Sequence, residues 1–594
     1  MSMRNAARAV FSKLLLQNTQ CSAAYSISLL FVWVCLAGVL RLHHLTLKPL
    51  WTDEFSTLVF GLGKSFKDVP LNQLLSASTL LEPIRLTSDT TMADAADRLL
   101  SESNHPPLYF MLTHAWVHHF SDSDGYVSVW AARSLSVLFG VLAVPAMYLA
   151  GWIACRSKAI AHLSAVLMAV SPFGIYLAQD ARHYTLAVLW MILSITCLLQ
   201  AVRCYVEHKP IPRFLLLGWV GINSLGIASH YFFLMTLAAE AIALATILLY
   251  TRKKQMDWDW SGIRQFTIVI VGTAASVAAW APFFFSIRQG DALTGWLDAD
   301  GWQDWTWINP LLHTLGSIVS MVMLFPVQNV DDGVVIASAI CITGFALMLG
   351  WFCYRGIAAK LGHSKSNDYV LLLLLLAFLG GAIALLFLTT YGLGVELAQV
   401  FRYHFFYFPG ILLLVAVGIV GDGNRVNRKA AGLYPCTFLG LRQWLIVVLI
   451  ALGIIGSLTV SSDLGYRKLH RPDRIVREID RRSEHPIFIS ISHQTHGQTG
   501  RLMALAWELR SPRYQASIPQ TSFLLDHQPC APETKHPCYQ PSDNLRHLID
   551  EMHHPIDLWL INYEGQARLS GEGCEHQRTR RTDGYKAQHY TCHV

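Results

Sequence analysis

The chain has 594 residues, 53% of them hydrophobic and only 14% charged, with a mean hydropathy of +0.37; this balance excludes an ordinary soluble globular protein and points to a polytopic membrane protein. The formal charge of +6 at pH 7 falls largely in short loops between apolar runs, where lysine and arginine set orientation, so nucleic acid is not implied as a partner. Those runs have the length of membrane-spanning helices, and a helix satisfies its own backbone polar groups in hydrocarbon, so the expected fold is an α-helical bundle surrounded by membrane lipids.

Arg4, Arg8 and Lys13 precede the first apolar run, Ala23 to Leu40, which predicts a cytoplasmic N-terminus. A cleaved signal peptide would have a shorter apolar core and a small-residue cleavage site, and neither is evident. The run ends at Arg41, His43 and His44, leaving Leu50-Trp51-Thr52-Asp53-Glu54-Phe55 outside. A mostly polar stretch, Phe55 to Trp130, then carries Asn104-His105-Pro106-Pro107-Leu108-Tyr109-Phe110. Pro106 to Phe120 has about fifteen residues, short of the roughly twenty needed to cross, and bears His114, His118 and His119; a juxtamembrane helix is expected there.

Trp130 to Ala154 runs inward to Arg156 and Lys158, and Ile160 to Tyr176 runs back, which puts Gln179-Asp180-Ala181-Arg182-His183-Tyr184 on the same side as Asp53. The same alternation gives spans at Thr185 to Tyr205, Phe214 to Ser229, Phe232 to Tyr250 and Phe266 to Phe285, with His230 and Tyr231 at an outer turn. A tryptophan-rich outer loop follows (Trp296, Trp302, Trp305, Trp307), whose indoles suit the headgroup region. Pro310 to Phe325 reads as a second surface helix. Spans at Val334 to Tyr354, Tyr369 to Thr389, Phe405 to Val420 and Trp444 to Val460 bring the expected total to about eleven, with Arg402-Tyr403 where the Phe405 span leaves the outer face.

Residues 1–460 thus form a transmembrane domain, and 461–594 a soluble one outside. In the latter, extended pieces (Ile487 to Ile491, Asp557 to Ile561, Tyr585 to Cys592) alternate with helical ones (Gly500 to Arg510, Ser542 to Met552), which predicts a small α/β domain. Cys530, Cys538, Cys574 and Cys592 lie in it; on an oxidising side they permit two disulfides in three pairings, and the sequence does not choose among them. The other eight cysteines are expected to be free.

Acids, a histidine and arginines gathered at one membrane face suit a reaction in which a base takes a proton from an acceptor while cations hold an anionic leaving group. Arginine binds phosphate oxygens in pairs, and a lipid-linked phosphate is the natural anion at that depth. Trp51-x-Asp53-Glu54, Asn104-His105-Pro106-Pro107-Leu108-Tyr109, Arg133-Ser134-Leu135-Ser136 with Pro145 and Tyr148, Ser171-Pro172 leading to Gln179-Asp180-Ala181-Arg182-His183-Tyr184, and Arg402-Tyr403 before Pro409 together resemble the GT-C superfamily. The subgroup they resemble joins protein O-mannosyltransferases with lipid A aminoarabinose transferases. The match is good from Ala23 to Tyr250 and thin afterwards, and it is the order of the motifs, each weak alone, that makes it specific.

The resemblance implies a GT-C fold and a multi-pass glycosyltransferase of the inner (cytoplasmic) membrane. Such an enzyme moves a hexosyl or pentosyl group from a polyprenyl-phosphate sugar to an acceptor outside, with inversion. It implies Asp53 as general base, Glu54 and Asp180 orienting acceptor or base, and Arg402 on the donor phosphate with Arg182; His105, Tyr403, Tyr184 and His230 complete the expected substrate-binding set. His183 stands where relatives often carry an apolar residue. No cofactor is certain, and a divalent metal shared by His230 and nearby carboxylates stays open. So does the acceptor: protein, lipid or polysaccharide.

Two other classes compete. A secondary transporter or flippase would carry its charges near the midplane and show matching halves with broken helices, whereas here the acids cluster toward one face. A receptor headed by the C-terminal domain leaves the outer motifs without a role.

Overall fold

The computed structural model describes residues 23–120, 125–254, 260–286, 304–362, 367–421, 436–515, 520–528, 540–564, 569 and 573–593. Arg4, Arg8, Lys13, Trp296, Trp302, Cys530 and Cys538 lie outside the described residues. The chain divides into two compact units, one within Met1–Leu45, Arg133–Ser286 and Thr294–Tyr466, the other within Thr46–Ala132, Ile287–Leu293 and Arg467–Val594.

The first, helical unit is the membrane part of a polytopic protein. Among the described residues eight helices are long and apolar enough to cross a bilayer: Ala23–Leu42, Val129–Cys155, Tyr184–Val206, Phe233–Lys253, Trp260–Phe283, Asp332–Leu361, Asp368–Gly392 and Leu441–Ser461. A bent pair, Lys158–Val170 and Pro172–Ala178, makes a ninth if counted as one span, and Arg213–Ser229 and Phe408–Val420 are shorter apolar helices. Every one of the eleven expected spans therefore coincides with a helix, three of them short or broken.

The break in the bent pair has a local cause. Pro172 has no N–H to give to the carbonyl of Met168, and Ser171 is extended (φ −65°, ψ 122°), so the helix turns by 53° there. The carbonyls so released are taken up from elsewhere. Fully buried Arg41 donates to the Met168 and Ala169 oxygens, each at 2.9 Å, and the Ser457 hydroxyl to Val170 O at 2.9 Å. A guanidinium at a helix C-terminus also meets the negative end of its dipole. Deeper in the same unit, Glu240 and Ser194 are bonded at 2.9 Å, and Ser194 also meets Asn223 and Trp219, so that one polar group joins three spans.

The second, mixed unit is built on a five-stranded sheet: β1 (Ile487–His493), β2 (Thr521–His527), β3 (Ile556–Ile561), β4 (Cys574–Thr582) and β5 (Tyr585–Cys592), in the order β2-β1-β3-β5-β4. β1 runs parallel to both β2 and β3 and is buried along its whole length, while β5 is antiparallel to β3 and β4. The α/β domain expected in the tail is present, with helices at His496–Leu509 and Asp543–Glu551. β2 and β4 and the helix Pro472–Arg482 are additions to that expectation. Asp583 (φ 34°) and Gly584 (φ 78°) form the tight turn between β4 and β5, an Asp-Gly pair suited to two left-handed positions. Cys574 and Cys592 face each other across this pair and form a disulfide. Six cysteines among the described residues, Cys35, Cys155, Cys197, Cys204, Cys341 and Cys353, are free.

Residues 46–132 belong to the same unit because they complete the sheet's edge. Leu75 pairs antiparallel with Phe523 on β2 through two 2.9 Å bonds, and Asn72 exchanges bonds with His527. The expected juxtamembrane helix occurs at Leu108–Val117, and the second expected surface helix occurs in the helical unit at Asn309–Ser320.

Candidate functional site

In the mixed unit, the helix Thr52–Gly61 carries the acidic pair in its first turn, where carboxylates favour the positive end of the dipole. Trp51 precedes it in extended conformation, and Gly63 (φ 72°) ends it, with Lys64 N–H bonding Val59 O and Gly63 N–H bonding Phe60 O, a Schellman closure that requires the left-handed residue. The two acids then part company. Glu54 is fully buried, and Lys468 Nζ donates to its Oε2 at 2.7 Å with the lysine side chain only 3% exposed. Lys468 also donates to Pro49 O at 3.2 Å and lies 5.9 Å from the Trp51 ring centre. One residue earlier, Asp53 is half-buried.

Two further histidines frame this helix. His470 Nδ1 lies 3.2 Å from Thr52 Oγ1. The helix His496–Leu509 approaches closely because Gly500 has no side chain: a Cβ there would sit 3.1 Å from Thr52 Cγ2. His496, one turn before that glycine, stacks on Phe66 (5.3 Å) and meets Phe60 edge-on (6.1 Å). Burial lowers the affinity of its imidazole for a proton, against the opposing charges of Glu102 and Asp53. His105, at the turn before Leu108–Val117, has its Nδ1 2.7 Å from Asn104 Oδ1 and its ring edge-on to Phe110 at 6.1 Å.

In the helical unit, the second acidic motif is a tight turn between Pro172–Ala178 and Tyr184–Val206. Asp180 and Arg182 are buried, and Arg182 N–H bonds Asp180 O at 2.8 Å. The turn is held from outside: Ser136 Oγ donates to Arg182 O at 2.9 Å, and Gln179 Nε2 to His43 O at 2.8 Å. Arg133, three residues before that serine, donates to Leu45 O at 2.8 Å. The Arg-Ser-Leu-Ser motif thereby acts as a brace.

Rings continue from this turn to the two remaining motifs. Arg182 lies over Tyr184 (5.9 Å), His183 meets His230 (4.4 Å), and Phe405 meets both Tyr184 (5.4 Å) and His230 (4.8 Å). Phe232 packs on Tyr403 (4.8 Å), and Arg402 lies over Tyr403 (5.3 Å) within the short 3-10 helix Phe401–Phe406. Arg182, Tyr184, His230, Arg402 and Tyr403 thus gather at one place in the fold, with two arginines at the ends of an aromatic chain. Both guanidiniums are buried. His230 Nδ1 accepts the Phe232 N–H at 3.0 Å, so a neutral ring carries its proton on Nε2. Among the described residues no group of three or more histidines, cysteines or carboxylates is placed to hold a metal ion.

Lys468, His470 and His496 escaped the sequence reading. Lys468 stands in the basic run Arg467-Lys468-Leu469-His470-Arg471 after the last apolar helix, and no spacing ties it to a carboxylate near the N-terminus. Phe232 and Phe405 looked like ordinary apolar positions. His183 and Tyr184 both bring the turn to His230, at 4.4 and 5.6 Å between ring centres.

No protein-family model matches the chain, and no curated protein does. Solved structures resemble it over nearly its full length. ArnT from Cupriavidus metallidurans bound to undecaprenyl phosphate matches with a TM-score of 0.47 and 11% identity, covering 96% of this chain and 98% of that one. For the apo state of the same protein the figures are 0.48, 13%, 94% and 97%. The oligosaccharyltransferase AglB from Archaeoglobus fulgidus, in complex with an inhibitory peptide and a dolichol-phosphate, gives 0.42, 12%, 95% and 74%. With TM-scores of 0.47, 0.48 and 0.42, these likenesses carry neither a fold assignment nor a residue role.

Proposed function

We propose that the chain is an integral-membrane glycosyltransferase that uses a polyprenyl-phosphate sugar as donor and modifies an acceptor on the extracytoplasmic face of the inner membrane. The observation that carries this reading is the gathering of Arg182-His183-Tyr184, His230 and Arg402-Tyr403, from three separate stretches of sequence, into one arginine-and-aromatic cluster. A cluster of that composition suits a phosphate beside a prenyl or sugar group.

In the proposed reaction Asp53 takes the proton of an acceptor hydroxyl or amine as that atom bonds to the anomeric carbon. The bond from the anomeric carbon to the phosphate oxygen breaks, and polyprenyl phosphate leaves with the electron pair. Arg402 and Arg182 balance the growing negative charge. A single displacement inverts the anomeric centre. By the resemblance of their motifs, Glu54 and His105 are assigned supporting roles in the mixed unit, and Asp180, Tyr184, Tyr403 and His230 supporting roles at the arginine cluster of the helical unit.

The test is a comparison of glycolipids and glycoproteins from a deletion strain with those of its parent, repeated with the gene restored as wild type or as Asp53→Asn. A sugar missing in the deletion strain, restored by wild type and not by Asp53→Asn at equal membrane abundance, is the expected result. Restoration by Asp53→Asn would show that Asp53 is not the base, and no glycan difference would end the glycosyltransferase reading.

A further inference from the structure

The acidic pair of the mixed unit holds more information than the choice of base. Glu54 and Lys468 are both withdrawn from solvent, at 0% and 3% side-chain exposure, and 2.7 Å apart. A buried ion pair adds little net stability over a well-packed apolar pair of the same volume, because each ion loses its hydration; removing one partner alone is what costs heavily. Lys468 does more than pair. It reaches Pro49 O before the acidic helix begins and lies by the Trp51 ring, while His470 two residues on meets Thr52. The segment Lys468–His470 therefore grips residues 49–54 at four points, two of them ahead of the helix (Pro49 and Trp51) and two in its first turn (Thr52 and Glu54).

We infer that Lys468 is a positioning residue for Asp53: by drawing the Glu54 carboxylate into a buried pair, it sets the rotation of the first helical turn and leaves Asp53 as the carboxylate turned toward substrate. The inference rests on the proposed role of Asp53. The charged and titratable groups around this turn include Asp53 and Glu54 themselves, Lys468 and His470 from the segment after the last span, and His496, whose own charged neighbours are Asp53, Glu102 and Lys67.

Four proteins decide the matter: Asp53→Asn, Lys468→Met, Glu54→Gln, and the double variant Glu54→Gln with Lys468→Met. Each is purified in detergent for its melting midpoint. Transfer is then assayed with a synthetic short-chain polyprenyl-phosphate carrying the sugar that the deletion-strain comparison identifies. Lys468→Met is expected to melt lower, because Glu54 is left buried without its cation, and the double variant to regain most of the wild-type midpoint. Transfer by the double variant is expected to stay about tenfold or more below wild type, the loss falling in kcat with donor KM unchanged. Wild-type transfer by the double variant would overturn the inference, since the pair would then only hold the fold together. Failure of the double variant to regain the midpoint would overturn it as well, because Lys468 would not be acting through Glu54. Transfer by Asp53→Asn would instead remove the underlying reading of the base, whatever the other three proteins show.

Discussion

Asp53 and Glu54 are neighbours in sequence with opposite surroundings, and that contrast was only half legible. Two acids at a helix start announce themselves in any sequence, but the partner that sorts them, Lys468, lies 414 positions away, and local pattern carries no trace of it. The same holds for Arg402, whose motif was readable while its aromatic neighbours Phe232 and Phe405 looked like any core residue. Replacing Arg402 by alanine should raise the donor concentration needed for half-maximal transfer about tenfold or more, with protein abundance unchanged, if the guanidinium meets the phosphate; an unchanged donor dependence would assign it a structural task. Asp557 gives a prediction in pH. Burial disfavours its charge, but the His589 imidazole and the N–H groups of His485 and Glu484 outweigh that and hold its carboxyl below the usual range. A carboxyl lowered in the folded state contributes stability at neutral pH that is lost as pH falls through the acid range. Trp559, stacked on His589 at 4.4 Å, should report this: its fluorescence transition on acidification should move to higher pH in Asp557→Asn, which lacks that contribution at every pH.

At the scale of elements, the apolar helices were legible because hydrocarbon enforces one rule, a long run with few charges. Interruptions were not. Nothing in the apolar pattern of Ile160 to Tyr176 shows that Ser171-Pro172 bends it by 53°, or that Arg41 from the first span holds the freed carbonyls. Arg41→Met should lower unfolding stability in detergent by about 2 to 4 kcal/mol, since two buried carbonyls lose their donors; a change below about 1 kcal/mol would show that other groups take them up. In the mixed unit β4 was missed because Cys574–Thr582 is almost wholly exposed and polar, so it lacks alternation. The Asp583-Gly584 turn after it was the available signal. Arginines on this outer strand protect an edge from pairing with other chains, which is why it does not read as a strand.

For the whole molecule, composition identified a membrane protein at once, while the division of the chain was less direct. Residues 46–132 precede most of the apolar helices, yet they share a compact unit with residues 467–594, because Leu75 and Asn72 extend the edge of β2. Much of the basic run after the last span is engaged within the unit: Lys468 with Glu54, Arg471 with Asp473, and Arg467 and Arg474 with Asp583. A chain ending at Tyr466 should therefore leave 46–132 without its sheet. Limited proteolysis should cut that stretch early, and wild-type resistance there would show that it folds alone.

The grip of Lys468 on Glu54 also orders events in time. The ribosome makes the acidic helix among the first elements and the lysine only after the last apolar helix, so for most of translation the carboxylate stands without its cation. The nascent protein is assembled with this turn unfinished, and completes it only after the last apolar helix has been made. A chain that stops before Lys468 therefore lacks the lysine that pairs with Glu54.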